Sequence, residues 1–218
     1  MEIVIDPRFN GPRSSANGGY TCGLLAEQVG EPAEITLRSP PPLGRALRFD
    51  GTNLTDGETL VAEAQRAELE LDVPPPVTYA DAERASERYP GFVEHDYPTC
   101  FVCGPERDDG LRLFTGAVNG RDVFAAPWTA PPDVTRVLTW AALDCPGAIG
   151  VGWEGRGDWL LGRMTGEVFE VPRSGDRCVV VAWPLGREGR KGFAGTAVYR
   201  GGEVLARARQ TWIASAAS

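Results

Sequence analysis

The chain has no excess of positive charge and no long apolar run. Its 218 residues include 22 Lys and Arg against 30 Asp and Glu, which gives a formal net charge of −8. Nucleic-acid binding depends on basic patches that neutralise phosphates, so this balance argues against a general nucleic-acid-binding protein. No apolar stretch approaches the ~18 residues needed to cross a bilayer. We therefore expect neither a nucleic-acid partner nor a membrane partner.

Histidine is nearly absent, and the cysteines are odd in number. The chain has one histidine, His95, and five cysteines, a count that does not suit a disulfide framework. Unpaired cysteines are typical of a reducing compartment. No signal peptide precedes the first apolar residues, which begin at Ile3. The sequence therefore predicts a cytoplasmic protein.

One Cys-x-x-Cys pair raises the question of a zinc site. Cys100 and Cys103 lie close to His95 in sequence. A structural zinc ion takes four ligands with nitrogen or sulfur donors. Cys145 is distant in sequence, and no fourth ligand can be named. We therefore predict no metal and no cofactor.

Three consecutive prolines divide the chain into two parts. Residues 74–76 can continue neither a strand ladder nor a helix, so they mark a boundary. We predict an N-terminal domain over 1–73, a linker with a short helix over 74–97, and a C-terminal domain over 98–218. The elements predicted before the second domain are a helix at 17–29, strands at 33–38, 46–50 and 59–71, and the linker helix at 79–89.

The second half repeats this order with more strands. Its predicted elements are strands at 111–114 and 123–126, a helix at 134–145, and strands at 160–171, 177–185, 191–199 and 203–213. Residues 137–143 of the helix are almost entirely apolar. A sheet that wraps one helix would bury that helix on nearly every side. Each half is therefore expected to be an α+β unit with one central helix and an antiparallel meander.

Two motifs in the second half resemble a known family. Residues 100–105, CFVCGP, followed by GLRL at 110–113, resemble the opening of many hotdog thioesterases related to the phenylacetyl-CoA thioesterase group. LARA at 205–208, on a last strand after a Gly-Gly turn, resembles the end of that family. The resemblance covers most of 98–213 and, more weakly, 1–73. It implies a tandem, or double, hotdog protein with two antiparallel sheets that each wrap a central helix.

The resemblance also implies one shared site. In that family a His-Gly-Gly motif begins the central helix, and an acidic residue follows nine positions after the histidine. The glycines let a thioester carbonyl approach a backbone amide, and the carboxylate acts across the dimer interface as base or nucleophile. In the first half, Asn17, Gly18 and Gly19 match this motif with Asn for His, but Ala26 replaces the acid.

The second half has the opposite loss. Asp144 matches the acid, whereas Arg136 and Val137 occupy the glycine positions. If the halves pair as the family's dimers do, Gly18 and Gly19 face Asp144 in one surviving site. The other pair of positions should be inactive. We also expect Pro146 to interrupt the helix that carries Asp144.

The resemblance suggests further residues that contact a ligand. They are Tyr20 and Trp140 for the acyl chain, Thr165 and Gln210 for water or carbonyl, and Arg187, Arg190 and Lys191 for coenzyme A phosphates. Plainer explanations exist for all of them. Asn-Gly-Gly is a common start for a helix, Thr and Gln bond to backbone groups, and a cationic hairpin tip is usually just solvated.

Taken with the family's activity, these residues predict an acyl-CoA or acyl-thioester binding protein that hydrolyses the thioester. Gly19, Asn17 and Asp144 would form the catalytic group, and the amide of Gly19 or Tyr20 would hold the carbonyl oxygen. Dehydration is disfavoured, because the family's dehydratases pair a histidine with an acid on the site helix and His95 lies in the linker. The alternative is a non-catalytic acyl-thioester-binding or scaffold protein. As in the family, a homodimer through sheet edges is the expected assembly.

Overall fold

The computed structural model of the protein describes residues 1–155 and 159–214, so the last four residues of the predicted second domain lie outside it. Within these ranges the chain forms three α-helices and eleven β-strands. The helices are α1 Gly18–Val29, α2 Tyr79–Ser86 and α3 Arg136–Gly150. The strands are β1 Glu2–Val4, β2 Ala33–Leu37, β3 Ala46–Phe49, β4 Asn53–Asp56, β5 Thr59–Arg66, β6 Gly116–Ala117, β7 Phe124–Thr129, β8 Trp159–Val168, β9 Arg177–Glu188, β10 Lys191–Arg200 and β11 Glu203–Ala214.

All eleven strands belong to one antiparallel sheet. Their order is β1-β3-β4-β5-β2-β8-β11-β10-β9-β7-β6. The two halves join where β2 pairs with β8, with Glu34 opposite Thr165 and Ile35 opposite Met164. The α+β class is as predicted, but the expectation of two separate sheets is corrected. Pairing β2 with β8 satisfies backbone groups that would otherwise form two open edges.

Two glycines bring α1 and α3 into close contact inside this sheet. A Cβ atom on Gly19 would lie 2.5 Å from the Cβ of Asp144, and one on Gly23 would lie 2.8 Å from the Cβ of Trp140. These glycines are one helical turn apart, so they form one face of α1. Their missing side chains let the helix backbones approach, which places the start of α1 beside Asp144.

The helix α3 continues through Pro146, contrary to the predicted break. It ends at Gly150, and Pro146 lies inside it. The side chain of Gln210 on β11 donates a hydrogen bond to the carbonyl of Leu143, in the turn where Pro146 has no N–H to offer. A Cβ on Gly147 would lie 1.5 Å from Gln210 Oε1, so any larger residue there would displace the Gln210 amide. The buried glutamine supports the helix at its weakest turn.

The predicted linker packs on the outer face of the sheet. Leu71, Val77 and Ala85 belong to one buried cluster with Val181 and Trp183 of β9. Because α3 covers the inner face, residues 178–183 of β9 are buried on both sides, which suits their continuous apolar sequence. The linker helix ends at Ser86, three residues earlier than predicted.

Two strand predictions in the sequence are also corrected. The predicted strand at 59–71 ends at Arg66, and β4 was not predicted at all. Residues 111–114 are not a strand. Instead, the amides of Leu111 and Leu113 donate to the carbonyls of Phe101 and Val102, which ties this segment to the Cys-x-x-Cys loop. No helix in the described ranges is long and apolar enough to span a membrane.

Candidate functional site

The first turn of α1 holds the carboxylate of Asp144. The side-chain amide of Asn17 donates to Asp144 Oδ2 at 2.7 Å, and the backbone amide of Gly19 donates to the same oxygen at 2.9 Å. Asp144 lies on α3 and is 2% exposed. The structure therefore brings together the residues of the predicted composite site, one group from each half of the chain.

Asn17 has two roles at this contact. It is the N-cap of α1, and its Oδ1 accepts a hydrogen bond from the amide of Tyr20 at 2.9 Å. This bond fixes the orientation of the side chain, so the Nδ2 group points to Asp144. The helix-start explanation and the site explanation of this asparagine are both compatible with its geometry.

The second oxygen of Asp144 is buried without a partner. Asp144 Oδ1 makes no hydrogen bond within residues 1–155 and 159–214. Burial, with a smaller effect from the nearby Cys100, raises the pKa of Asp144 to about 7, against the hydrogen bonds from Gly19 and Asn17, which lower it. A carboxyl group that titrates near neutral pH and has free lone pairs is suited to accept a proton.

The geometry changes which amide can hold a carbonyl oxygen. The amides of Gly19 and Tyr20, which were the predicted donors, are occupied by Asp144 and Asn17. The amide of Gly18 has no partner in the described part of the chain. Gly18 lines the cavity described next, and amides in the first turn of a helix point outward into a favourable field. Gly18 is the amide that is free to bind a ligand.

Asp144 and Gly18 line a cavity of about 430 Å³ between the two halves. This volume lies within the ~300–1,000 Å³ of small-molecule sites. Most of its wall is apolar, and three tryptophans from separate parts of the second half contribute to it: Trp153, Trp159 and Trp212. The sequence offered no signal for this group, because the three residues meet only through the fold.

Four residues predicted to contact a ligand lie outside the cavity lining. Their side chains are engaged elsewhere in the protein. Tyr20 stacks on Phe9 with ring centroids 3.8 Å apart. The other three donate hydrogen bonds, Trp140 to Glu31 at 2.6 Å, Thr165 to Glu34 at 3.1 Å, and Gln210 to Leu143. These contacts hold the framework around the cavity, and ligand contact by the four residues stays a prediction.

The three predicted cations lie on the exposed hairpin between β9 and β10. Arg187 is the penultimate residue of β9, Arg190 lies in the turn, and Lys191 begins β10. The guanidinium of Arg187 lies 5.1 Å from the ring centroid of Trp159, which lines the cavity, and donates to the carbonyl of Val151. The hairpin is therefore beside the tryptophan end of the cavity, with Arg190 and Lys191 exposed.

The second pair of family positions is filled by protein side chains. Arg136 forms an ion pair with Glu31 at 2.7 Å. The same Glu31 accepts hydrogen bonds from Trp140 Nε1 and from the amide of Val168 at 2.6 and 2.9 Å. Ala26 is fully buried. At these positions Arg136 stands where the family has glycine, and Ala26 stands where it has the acid, as the sequence comparison implied.

Three thiols lie in the cavity wall beside Asp144. The sulfurs of Cys100, Cys103 and Cys145 are all within 4.8 Å of one another. Hydrogen bonds from the thiols of Cys103 and Cys145 hold the pKa of Cys100 well below its usual value. The pKa values of Cys103 and Cys145 are raised, first because each donates to Cys100. Cys145 was too distant in sequence to be assigned to this group beforehand.

No protein-family model and no curated protein matches the chain. Solved structures match it over nearly its whole length. A candidate thioesterase from Novosphingobium aromaticivorans is 16% identical, with 99% of this chain and 95% of that one covered and a TM-score of 0.62. An acyl-CoA thioesterase II from Mycobacterium marinum is 11% identical, with 94% and 91% covered and a TM-score of 0.55.

A third structure is named for its fold. It is a conserved protein of unknown function with a hotdog fold from Alicyclobacillus acidocaldarius, 10% identical, with 100% and 93% covered and a TM-score of 0.54. This chain has a hotdog fold. The family resemblance seen in the sequence is thus confirmed for the fold. Identities this low carry no activity from one protein to another.

Proposed function

We propose that the protein is a tandem hotdog thioesterase that hydrolyses acyl-CoA or a related acyl thioester. The observation that carries this proposal is the buried Asp144 carboxylate, whose Oδ1 has no hydrogen-bond partner in the described residues, in the wall of a cavity that Gly18 also lines. Each half would correspond to one hotdog unit. The acyl-CoA thioesterase II from Mycobacterium marinum, which has the same fold, supports the choice of substrate class.

In the proposed reaction, the thioester carbonyl oxygen accepts a hydrogen bond from the amide of Gly18. The N-terminus of α1 favours the negative charge that develops on this oxygen. Asp144 Oδ1 takes a proton from water as the water attacks the carbonyl carbon, and the tetrahedral intermediate then expels the thiolate. Asn17 and Gly19 hold Oδ2 in place throughout. Direct attack by Asp144 would use the same geometry.

The remaining parts of the substrate follow from the surroundings. The acyl group would occupy the apolar cavity. The tryptophan end of this cavity would lead to the hairpin between β9 and β10. Arg187, Arg190 and Lys191 would then face the phosphates of coenzyme A, which guanidinium and ammonium groups bind well.

A non-catalytic acyl-thioester-binding protein is the second candidate. One observation favours it, namely that Asp144 Oδ2 accepts two hydrogen bonds at 2.7 and 2.9 Å and is therefore tied to the protein. A catalytic carboxylate can be oriented in this way, but so can a structural one.

Location in the cytoplasm and a homodimer through sheet edges stay predictions. The sheet ends on the short strands β1 and β6, of three and two residues.

A thiol-release assay separates the two candidates. The purified protein would be tested with acyl-CoAs from acetyl to palmitoyl, beside Asp144→Asn and the exposed control Asp122→Asn. We expect turnover that falls at least ~10²-fold in Asp144→Asn and is unchanged in the control. Turnover that persists in Asp144→Asn would refute the assignment. If no acyl-CoA of any acyl-chain length is hydrolysed, while the same acyl-CoAs raise the Tm of the protein, the binding protein is favoured.

A further inference from the structure

We propose that Cys100, Cys103 and Cys145 form a zinc site whose fourth coordination position opens into the cavity. The three sulfurs come from two distant segments, the Cys-x-x-Cys loop and α3, and converge within 4.8 Å. All three residues line the cavity. This proposal is independent of the thioesterase proposal, because metal binding can be measured without any substrate.

The sulfur separations agree with tetrahedral zinc coordination. A Zn–S bond of ~2.3 Å with tetrahedral angles places neighbouring sulfurs about 3.8 Å apart. The Sγ atoms of Cys100 and Cys145 are 3.7 Å apart. This spacing is much longer than the ~2.05 Å of a disulfide bond. The thiols are therefore spaced as ligands of one ion.

The loop that carries the first two cysteines is held in a tight turn. The amide of Gly104 donates to the carbonyl of Cys100 at 2.9 Å. A Cβ on Gly104 would lie 2.5 Å from the amide nitrogen of Cys100, so this turn requires glycine. The turn brings the sulfurs of Cys100 and Cys103 to within 4.8 Å of each other.

The third ligand receives similar support from the first half of the chain. The Nδ2 group of Asn17 lies 3.8 Å from Cys145 Sγ, within reach of a weak N–H···S hydrogen bond. The same Nδ2 group donates to Asp144. The proposed metal site and the proposed catalytic carboxylate thus share one orienting residue.

His95 is close to this group but is not arranged as the fourth ligand. Its Nε2 lies 3.5 Å from Cys103 Sγ and 2.9 Å from the hydroxyl of Tyr89. Its Nδ1 accepts a hydrogen bond from the amide of Tyr97 at 2.9 Å. The neutral ring therefore carries its proton on Nε2, which leaves that nitrogen no lone pair for a metal. Solvent or a ligand in the cavity would complete the coordination, as in zinc sites with three protein ligands.

Metal analysis of the full-length protein tests the proposal. After expression in zinc-supplemented medium, elemental analysis should find about one zinc per chain in the wild type and in His95→Gln. The ion should be lost in Cys100→Ser and Cys145→Ser and kept in Cys178→Ser, a buried cysteine on β9 outside the group. Retention of zinc in Cys145→Ser would overturn the proposed ligand set. Loss in His95→Gln would overturn the open fourth position.

A second measurement does not depend on the folding of any variant. Wild-type protein stripped by a chelator under reducing conditions would be titrated with Co²⁺. Binding through three thiolates should produce an intense sulfur-to-cobalt charge-transfer band and the d–d bands of tetrahedral cobalt at one equivalent. Absence of these bands, or a Cys100–Cys145 disulfide found by mass spectrometry in freshly purified protein, would overturn the zinc site.

Discussion

The backbone amide of Gly19 donates a hydrogen bond to Asp144 Oδ2 at 2.9 Å, across 125 positions of sequence. This bond is possible only because the two helices touch at residue 19. The contact therefore determines both how the halves pack and where the carboxylate points. Changes on either side of it should alter stability and turnover together.

Gly19→Ala should separate α1 from α3. Its Cβ would lie 2.5 Å from the Cβ of Asp144 and 2.8 Å from the carbonyl oxygen of Trp140, so the backbones must move. We expect a loss of ~1–3 kcal/mol in the free energy of unfolding and a marked fall in thioester turnover. Denaturant melts and the thiol-release assay would measure both. Gly202→Ala is the matched control, because a Cβ there meets nothing within 4 Å.

Substitutions of Asn17 separate its two roles. Asn17→Ser keeps a side-chain oxygen for the N-cap but removes the donor to Asp144, so we expect little change in stability and a fall of roughly tenfold in kcat. Asn17→Ala removes both and should cost about 1 kcal/mol more in stability. Equal kcat in Asn17→Ser and the wild type would mean that the asparagine is only a helix cap.

Asp144 should make stability depend on pH in a direction opposite to that of an ordinary carboxylate. Its pKa of about 7, raised by burial from 3.8, means that the folded protein keeps a proton that the unfolded chain releases. The free energy of unfolding of metal-free protein should therefore decrease as the pH rises from about 4 to about 7. The Asp144→Asn variant has no carboxyl group that titrates at this position. Its free energy of unfolding relative to the wild type should therefore rise by up to about 4 kcal/mol between pH 4 and pH 8.

Asp176→Asn provides the control of opposite sign for this experiment. Hydrogen bonds from the amide of Arg173 and from Arg200 lower the pKa of Asp176. Its stabilising effect is present above the unfolded pKa and is lost as the pH falls, so this variant should lose stability relative to the wild type at higher pH. Urea melts at several pH values would record both slopes. If the stability of both variants relative to the wild type changed with pH in the same direction, the raised pKa of Asp144 would be contradicted.

The hairpin between β9 and β10 should recognise the phosphates of coenzyme A. Replacing Arg187, Arg190 and Lys191 by alanine should raise KM for an acyl-CoA several-fold and leave KM for the matching acyl-pantetheine unchanged, because the latter has no nucleotide phosphates. The exposed Arg48→Ala, on β3, serves as the control. A similar KM rise for both substrates would show that the hairpin acts through packing against Trp159 and not through charge.

The family resemblance implied that the start of the first helix faces Asp144, and Asn17 and Gly19 do contact this carboxylate. It did not predict that Gly19 and Tyr20 amides are occupied, since this depends on side-chain directions at the helix contact. The meeting of Cys145 with the Cys-x-x-Cys loop and the roles of Gln210 and the tryptophans arise from contacts between segments far apart in sequence. The single sheet depends on the β2–β8 pairing, for which neither strand has a sequence signal.

The β2–β8 pairing places two unlike halves of one polypeptide around a common junction. In a symmetric homodimer every substitution appears twice, so both equivalent sites keep or lose a residue together. Covalent linkage removes this constraint. Here one location retains the carboxylate and the glycine pair, while the other is closed by Glu31, Arg136 and Trp140. The contacts of Glu31, Arg136 and Trp140 therefore exist in one copy, with no counterpart required beside Asp144.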